Sequence, residues 1–175
     1  RFIEDGRFGN RKMNLMVSQN YPFKPIYDAW KANSRELLPI NDDEARKQVE
    51  IIDAKVLSNR KPPYGIIGGL FDAMKDAGGD VLLSTNEEAK EAATLFEKTE
   101  GIDIHPAAAV ATATLINEVK NKTILEDSLI MLNITGGGEQ RFKDENELFY
   151  LKPSLVFDMN PKEEDVKKKL NGLSW

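Results

Sequence analysis

The chain has 175 residues, 41% of them hydrophobic, which is enough to bury the core of one domain. Its formal charge of −5 argues against nucleic acid as a partner, and lysine and arginine form a run only at residues 167–169. The absence of cysteine excludes disulfides and thiolate metal sites, and no apolar run reaches membrane-spanning length. These features predict a cytoplasmic protein that binds neither nucleic acid nor membranes.

The first residues of the chain have the pattern of the last turn of a helix. Residues 1–6 close on a glycine, as the last turn of a helix often does, and no initiating methionine is present. This predicts that the chain is the carboxyl portion of a longer polypeptide. We expect its partner to be the N-terminal remainder of the same protein.

Strand-like and helical patterns alternate along the chain. Strands are predicted at residues 13–17, 80–85, 102–104 and 129–134, and helices at 23–32, 42–52, 64–77, 86–101, 107–121 and 161–170. The connections are too long for hairpins, which predicts an α/β fold with a three-layer parallel sheet and helices on both faces. Gly68 and Gly69 fall inside the third predicted helix, where they indicate close packing.

Residues 128–138 form the stretch around which we expect the chain to be organised. Residues 129–134 are short, branched and mostly apolar, which predicts a strand buried on both faces. A hydroxyl residue and three glycines follow it, namely Thr135, Gly136, Gly137 and Gly138. This loop would lie at the carboxyl edge of the sheet, where open α/β folds bind ligands. A glycine-rich turn without a ligand fits the same spacing.

Two other places could contribute to a ligand site. The polar residues 18–22 follow the first predicted strand and could form a second wall. His105 stands where a strand passes into a helix, although a lone histidine is often structural. Because it is the only histidine, a metal site of several imidazoles is excluded and no metal is expected. The glycines match neither a Walker motif nor a dinucleotide-binding motif.

Four segments together carry a resemblance that no single motif shows. They are residues 18–30 (SQNYPFKPIYDAW), 74–79 (MKDAGG), 100–108 (EGIDIHPAA) and 134–138 (ITGGG). In this order they resemble the carboxyl half of the threonine synthase-like enzymes, which depend on pyridoxal 5′-phosphate and have the tryptophan synthase β-like fold, fold type II. Within that family the resemblance extends to archaeal enzymes that make L-cysteate from O-phospho-L-serine and sulfite for coenzyme M biosynthesis.

The resemblance implies a cofactor contact at Thr135. Its hydroxyl would hydrogen-bond the pyridine nitrogen of the cofactor, and residues 136–138 would pass close to the ring. A neutral hydroxyl does not hold that nitrogen protonated as an aspartate would, and this suits a β-replacement reaction.

The resemblance also suggests where the substrate would bind and which catalytic residue this chain lacks. His105 and Arg141 are the hypothesised substrate contacts, since arginine pairs well with phosphate or sulfonate, although Arg141 could equally be an exposed surface residue. The lysine that binds the cofactor covalently belongs to the family's earlier half, and Lys12, Lys24 and Lys31 lack its sequence context. The isolated chain is therefore predicted to be inactive, and the complete enzyme to be a homo-oligomer.

Two alternatives stay open from the sequence. A threonine synthase acting on O-phosphohomoserine could use the same carboxyl half. A non-catalytic α/β domain could bind a small ligand, with residues 135–138 forming an anion-binding nest.

Overall fold

The computed structural model describes residues 3–7, 9–10 and 13–173. The chain consists of two compact units, with the boundary between Phe142 and Lys143. The elements in order are β1 (Met16–Asn20), α1 (Pro25–Lys31), α2 (Asp42–Ile51), α3 (Leu70–Ala77), β2 (Asp80–Ser84), α4 (Asn86–Glu100), α5 (Pro106–Lys120), α6 (Glu139–Glu145) and α7 (Glu163–Asn171). A single 3-10 turn, Lys55–Leu57, lies between α2 and α3.

The sheet of the described residues consists of two parallel strands. Met16 pairs with Asp80 and Asn20 with Ser84, so the carboxyl ends of β1 and β2 lie side by side. This confirms the predicted α/β class. β1 lies three residues further along the chain than expected, because part of the supposed loop after it is paired with β2.

Helix α5 contacts both strands and packs against α4. Its small residues Ala108, Ala109 and Ala113 are buried, because a small side chain lets a helix approach a sheet closely. The predicted start of α4 is also confirmed. Thr85 Oγ1 accepts a hydrogen bond from the Glu88 backbone N–H, and the Glu88 carboxylate accepts one from the Thr85 N–H.

An apolar cluster joins the end of β1 to α2. Phe23, Ala45 and Ile52 are buried there, with Val49 packed against them. Since α2 ends at Ile51, the cluster also fixes the position of the residues that follow the helix, 53–56.

The structure differs from the sequence-based predictions at the start of α3. Helix α3 begins at Leu70, so the prediction of a helix from residue 64 was wrong in its first part. The cause is Gly68, whose φ of 73° is left-handed and incompatible with an α-helix, and Gly69 then serves as the N-cap. Of the helix end expected at residues 1–6, residues 1 and 2 lie outside the described part and residues 3–6 form a turn.

The prediction of a buried strand at residues 129–134 was wrong. No strand is formed there, Leu129 is fully exposed and Met131 is 87% exposed. From residue 131 to residue 138, exposed and partly covered positions alternate, so the segment is covered on one side only. The physical reason is that a strand needs backbone partners, and among the described residues only an antiparallel bridge between Ile104 and Gly137 forms here. The brief strand expected at 102–104 is reduced to the same bridge.

The last elements differ from expectation in smaller ways. Helix α6 was not predicted, and α7 begins at Glu163, two residues later than expected. Across the described ranges, every helix is too short or too polar to cross a membrane.

Candidate functional site

A cavity of about 420 Å³ lies within the unit that ends at Phe142. It is lined by residues 53–56, residues 105–107 and Thr135. Small-ligand sites typically measure about 300 to 1,000 Å³, so the cavity is large enough for a cofactor-sized molecule. The fold therefore brings together Thr135 and His105, two positions that the sequence singled out separately.

Thr135 presents its side chain to this cavity. The preceding residue, Ile134, packs against a buried apolar cluster that includes Ile104 and Val110. This leaves Thr135 on the other side of the extended segment. Within the part of the chain that the structure describes, the Thr135 hydroxyl makes no hydrogen bond. It can therefore donate to, or accept from, a bound molecule.

His105 is the N-cap residue of α5, yet its ring caps no backbone group. Its backbone N–H donates to the Gly136 carbonyl at 2.9 Å, which ties the start of α5 to the glycine loop. Its Nε2 atom lies 3.2 Å from Glu139 Oε2, so a carboxylate orients the imidazole. The helix amino end beside it contributes partial positive charge to the cavity.

The glycine loop packs closely against the chain's own residues. A Cβ atom on Gly136 would lie 2.8 Å from His105 Nδ1, and one on Gly137 would lie 2.3 Å from the Asp103 carbonyl oxygen. Gly138 has a φ of 75° and donates its N–H to the same carbonyl. These glycines are therefore needed for packing, and the predicted contact of residues 136–138 with a cofactor stays a prediction.

Asp103 caps helix α6 from outside that helix. Its carboxylate accepts hydrogen bonds from the backbone N–H groups of Gln140, at 3.1 Å, and Arg141, at 3.3 Å. The bond from Gln140, followed by that from Arg141, holds the pKa of the Asp103 carboxyl below its usual value, against the opposing effect of desolvation. Arg141 is exposed on α6 and does not line the cavity, so its substrate contact also stays a prediction.

This cap predicts a specific acid response. Because the folded-state pKa of Asp103 is depressed, its contribution to stability is present above the unfolded value of about 3.9 and is lost as the pH falls through the folded pKa. We expect the free energy of unfolding, measured in urea at pH 6 and pH 3, to fall less in Asp103→Asn than in the parent chain. Equal falls in the two proteins would contradict the cap.

Residues 53–56 are the part of the site that the sequence did not indicate. The predicted second wall at residues 18–22 does not line the cavity, and residues 18–20 belong to β1 instead of a loop. Lys55 Nζ donates to the Val49 and Glu50 carbonyls at the end of α2, so its charge is directed to that helix end. No motif marks this wall. The one available signal is a polar residue, Asn20, at the end of a strand.

No group of three or more histidine, cysteine or acidic side chains within the described ranges is arranged to hold a metal ion. The described groups at the cavity are instead the Thr135 hydroxyl, the His105 imidazole and the amino end of α5. These groups suit an organic ligand that carries hydrogen-bonding or anionic atoms.

Comparison with known proteins gives a consistent result. The chain is 47% identical over 154 residues to a cysteate synthase of Methanosarcina barkeri, a match that covers 87% of the chain. It is 47% identical over 157 residues to the cysteate synthase of Methanosarcina mazei, covering 89% of the chain. By sequence, the chain is therefore similar to cysteate synthases over most of its length. No protein-family model matches it.

The likeness to cysteate synthases covers nearly the whole chain. That of Methanoregula boonei is 40% identical over 172 residues, or 98% of the chain. The chain spans 37%, 38% and 41% of the length of these three cysteate synthases, respectively. It therefore corresponds to part of each of them.

Proposed function

We propose that this chain is the carboxyl portion of a cysteate synthase that converts O-phospho-L-serine and sulfite to L-cysteate and phosphate with pyridoxal 5′-phosphate, in coenzyme M biosynthesis. The observation that carries the proposal is an identity of 40% to 47% to cysteate synthases over most of the chain. The meeting of Thr135 and His105 in one cavity supports it.

The residues present are compatible with the cofactor. Pyridoxal 5′-phosphate, when bound, supplies an electron sink for charge that develops on an amino-acid substrate. Thr135 offers a neutral hydroxyl without a protein partner among the described residues, so it can hydrogen-bond a pyridine nitrogen without charging it. The cavity volume of about 420 Å³ suits a molecule of this size.

The substrate side of the proposal rests on the amino end of α5. Its first-turn N–H groups favour a negatively charged group such as a phosphate or sulfonate. His105 stands at that helix end with its Nε2 atom 3.2 Å from Glu139 Oε2, and it would donate a hydrogen bond to such a group by exchanging this carboxylate for the ligand. Arg141 would take part only if α6 or its side chain approached the cavity more closely.

The exposed segment 129–134 bears on the architecture of the complete protein. Leu129 and Met131 expose apolar side chains that water solvates poorly, and the segment has no strand partner among the described residues. This supports further strands in the complete protein and a three-layer sheet of the fold type II kind. The proposed N-terminal remainder would supply the covalent lysine, and the enzyme would be a cytoplasmic homo-oligomer.

The test of this function is Thr135→Val in the complete protein that carries this chain. Valine keeps the shape but removes the hydroxyl, so we expect L-cysteate formation from O-phospho-L-serine and sulfite to fall about 10- to 100-fold, the equivalent of one lost hydrogen bond. Thr135→Ser, which restores the hydroxyl, should recover most of the rate. The absorbance band of the bound cofactor should shift in the valine variant alone.

Three results would count against the proposal. Full activity in Thr135→Val would remove the role of the hydroxyl. Turnover of O-phosphohomoserine without sulfite would identify a threonine synthase instead. A complete protein without a cofactor absorbance band would favour a small-ligand binding domain.

A further inference from the structure

The cavity wall at residues 53–56 depends on other parts of the chain for its position. Apart from the single turn Lys55–Leu57 it has no regular secondary structure. Two side-chain amides reach its backbone, those of Asn20 and Asn86. Asn20 is the last residue of β1 and is buried, whereas Asn86 is the first residue of α4 and is partly exposed.

The Asn20 amide joins the sheet to the wall. Its Oδ1 atom accepts a hydrogen bond from the Ala54 backbone N–H at 3.1 Å, and its Nδ2 atom donates to the Ser84 carbonyl at 3.2 Å. Ser84 is the residue opposite Asn20 in the β1–β2 ladder. One buried side chain thus satisfies a backbone donor of the wall and a backbone acceptor at the carboxyl edge of the sheet. Loss of the first bond would leave the buried Ala54 N–H unpaired, whereas the Ser84 carbonyl also accepts from the Tyr21 N–H at 2.8 Å.

The Asn86 amide makes an equivalent pair of bonds from the other side. Its Oδ1 atom accepts from the Asp53 N–H at 3.0 Å, and its Nδ2 atom donates to the Ile51 carbonyl at 2.8 Å. Two consecutive N–H groups of the wall, those of Asp53 and Ala54, therefore end on asparagine oxygens that come from different elements. An additional ion pair joins Asp53 to Lys90 of α4 at 2.9 Å.

We propose that Asn20 and Asn86 are positioning residues of the site, which hold residues 53–56 in place opposite Thr135 and His105. Neither residue is among those that line the cavity, and both act by fixing the wall against which a ligand rests. The choice of pyridoxal 5′-phosphate as the ligand rests on the proposed function. The wall itself can be tested without any ligand.

The first measurement is hydrogen exchange in the complete protein that carries this chain. In Asn20→Leu, which removes both bonds at nearly constant volume, we expect the amides of residues 53–57 to exchange at least tenfold faster, while those of α5 keep their rates. Asn86→Ala should accelerate the same amides to a smaller extent. Ser84→Ala is the matched control, because the Ser84 hydroxyl is equally buried but has no hydrogen-bond partner.

The second measurement is the dissociation constant for pyridoxal 5′-phosphate, obtained by fluorescence titration. We expect an increase of about tenfold in Asn20→Leu and a smaller one in Asn86→Ala. Asn117→Ala should leave it unchanged, because that amide donates to Glu88 Oε1 and does not reach the wall.

Unaltered exchange at residues 53–57 in both variants would overturn the proposal. So would faster exchange with unchanged affinity, which would make the asparagines structural only. If Asn20→Leu does not fold, Asn86→Ala decides, since its side chain is partly exposed. A parent protein that does not bind pyridoxal 5′-phosphate would defeat the proposed function, while the exchange rates would still support or overturn the role of the asparagines.

Discussion

Phe23→Ala is expected to lower the free energy of unfolding of the chain by about 3 to 5 kcal/mol, the range for truncating a buried phenylalanine. Phe23 is 1% exposed and packs with Ala45 and Ile52, so the variant leaves a cavity between the end of β1 and α2. The α2 helix leads directly into the wall at residues 53–56, and we therefore expect looser ligand binding as well. Urea denaturation followed by circular dichroism measures the first effect.

The matched control for this variant is Phe149→Ala. Phe149 is 86% exposed, so the same chemical change should alter the free energy of unfolding by less than about 0.5 kcal/mol. Similar losses in the two variants would mean that the Phe23 cluster is not a core.

Gly137→Ala is expected to cost about 3 kcal/mol, at the upper end of the usual range for overpacking. The added Cβ would lie 2.3 Å from the Asp103 carbonyl oxygen, a backbone atom that cannot rotate away. Residues 135–138 must then separate from residues 103–105, which displaces Thr135 relative to His105. We expect both the urea midpoint and the affinity for pyridoxal 5′-phosphate to decrease.

Gly172→Ala serves as the control for the glycine loop. A Cβ at Gly172 meets no atom closer than 3.5 Å, and its φ of −85° suits alanine, so we expect no loss of stability. If Gly137→Ala were as stable as Gly172→Ala, the close packing of the glycine loop would be refuted.

The parts of the fold that follow from the sequence are those with local causes. The predicted start of α4 at residue 86 coincides with a capping box of Thr85 and Glu88, and the predicted end of α3 at residue 77 is followed by Gly78 in the left-handed conformation. Each of these signals is satisfied by atoms within a few residues, so a short window of sequence contains the information.

The candidate site was anticipated only in part. His105 and Thr135 were each marked by their position after an apolar segment, and the structure places both at one cavity. The wall at residues 53–56 was missed because its place is set by Asn20, 34 positions away from Ala54 along the chain. A pattern within one segment carries no information about such a bond.

The sequence by itself determined where most helices begin and end, and which hydroxyl stands before the glycines. Only the tertiary structure decided that residues 129–134 form no strand, because a strand depends on partners that lie far away in the chain. The tertiary structure also decided which residues pack against the glycines of residues 136–138. Glycine permits close contact without specifying the neighbour, and here that neighbour is the chain's own segment at Asp103 to His105.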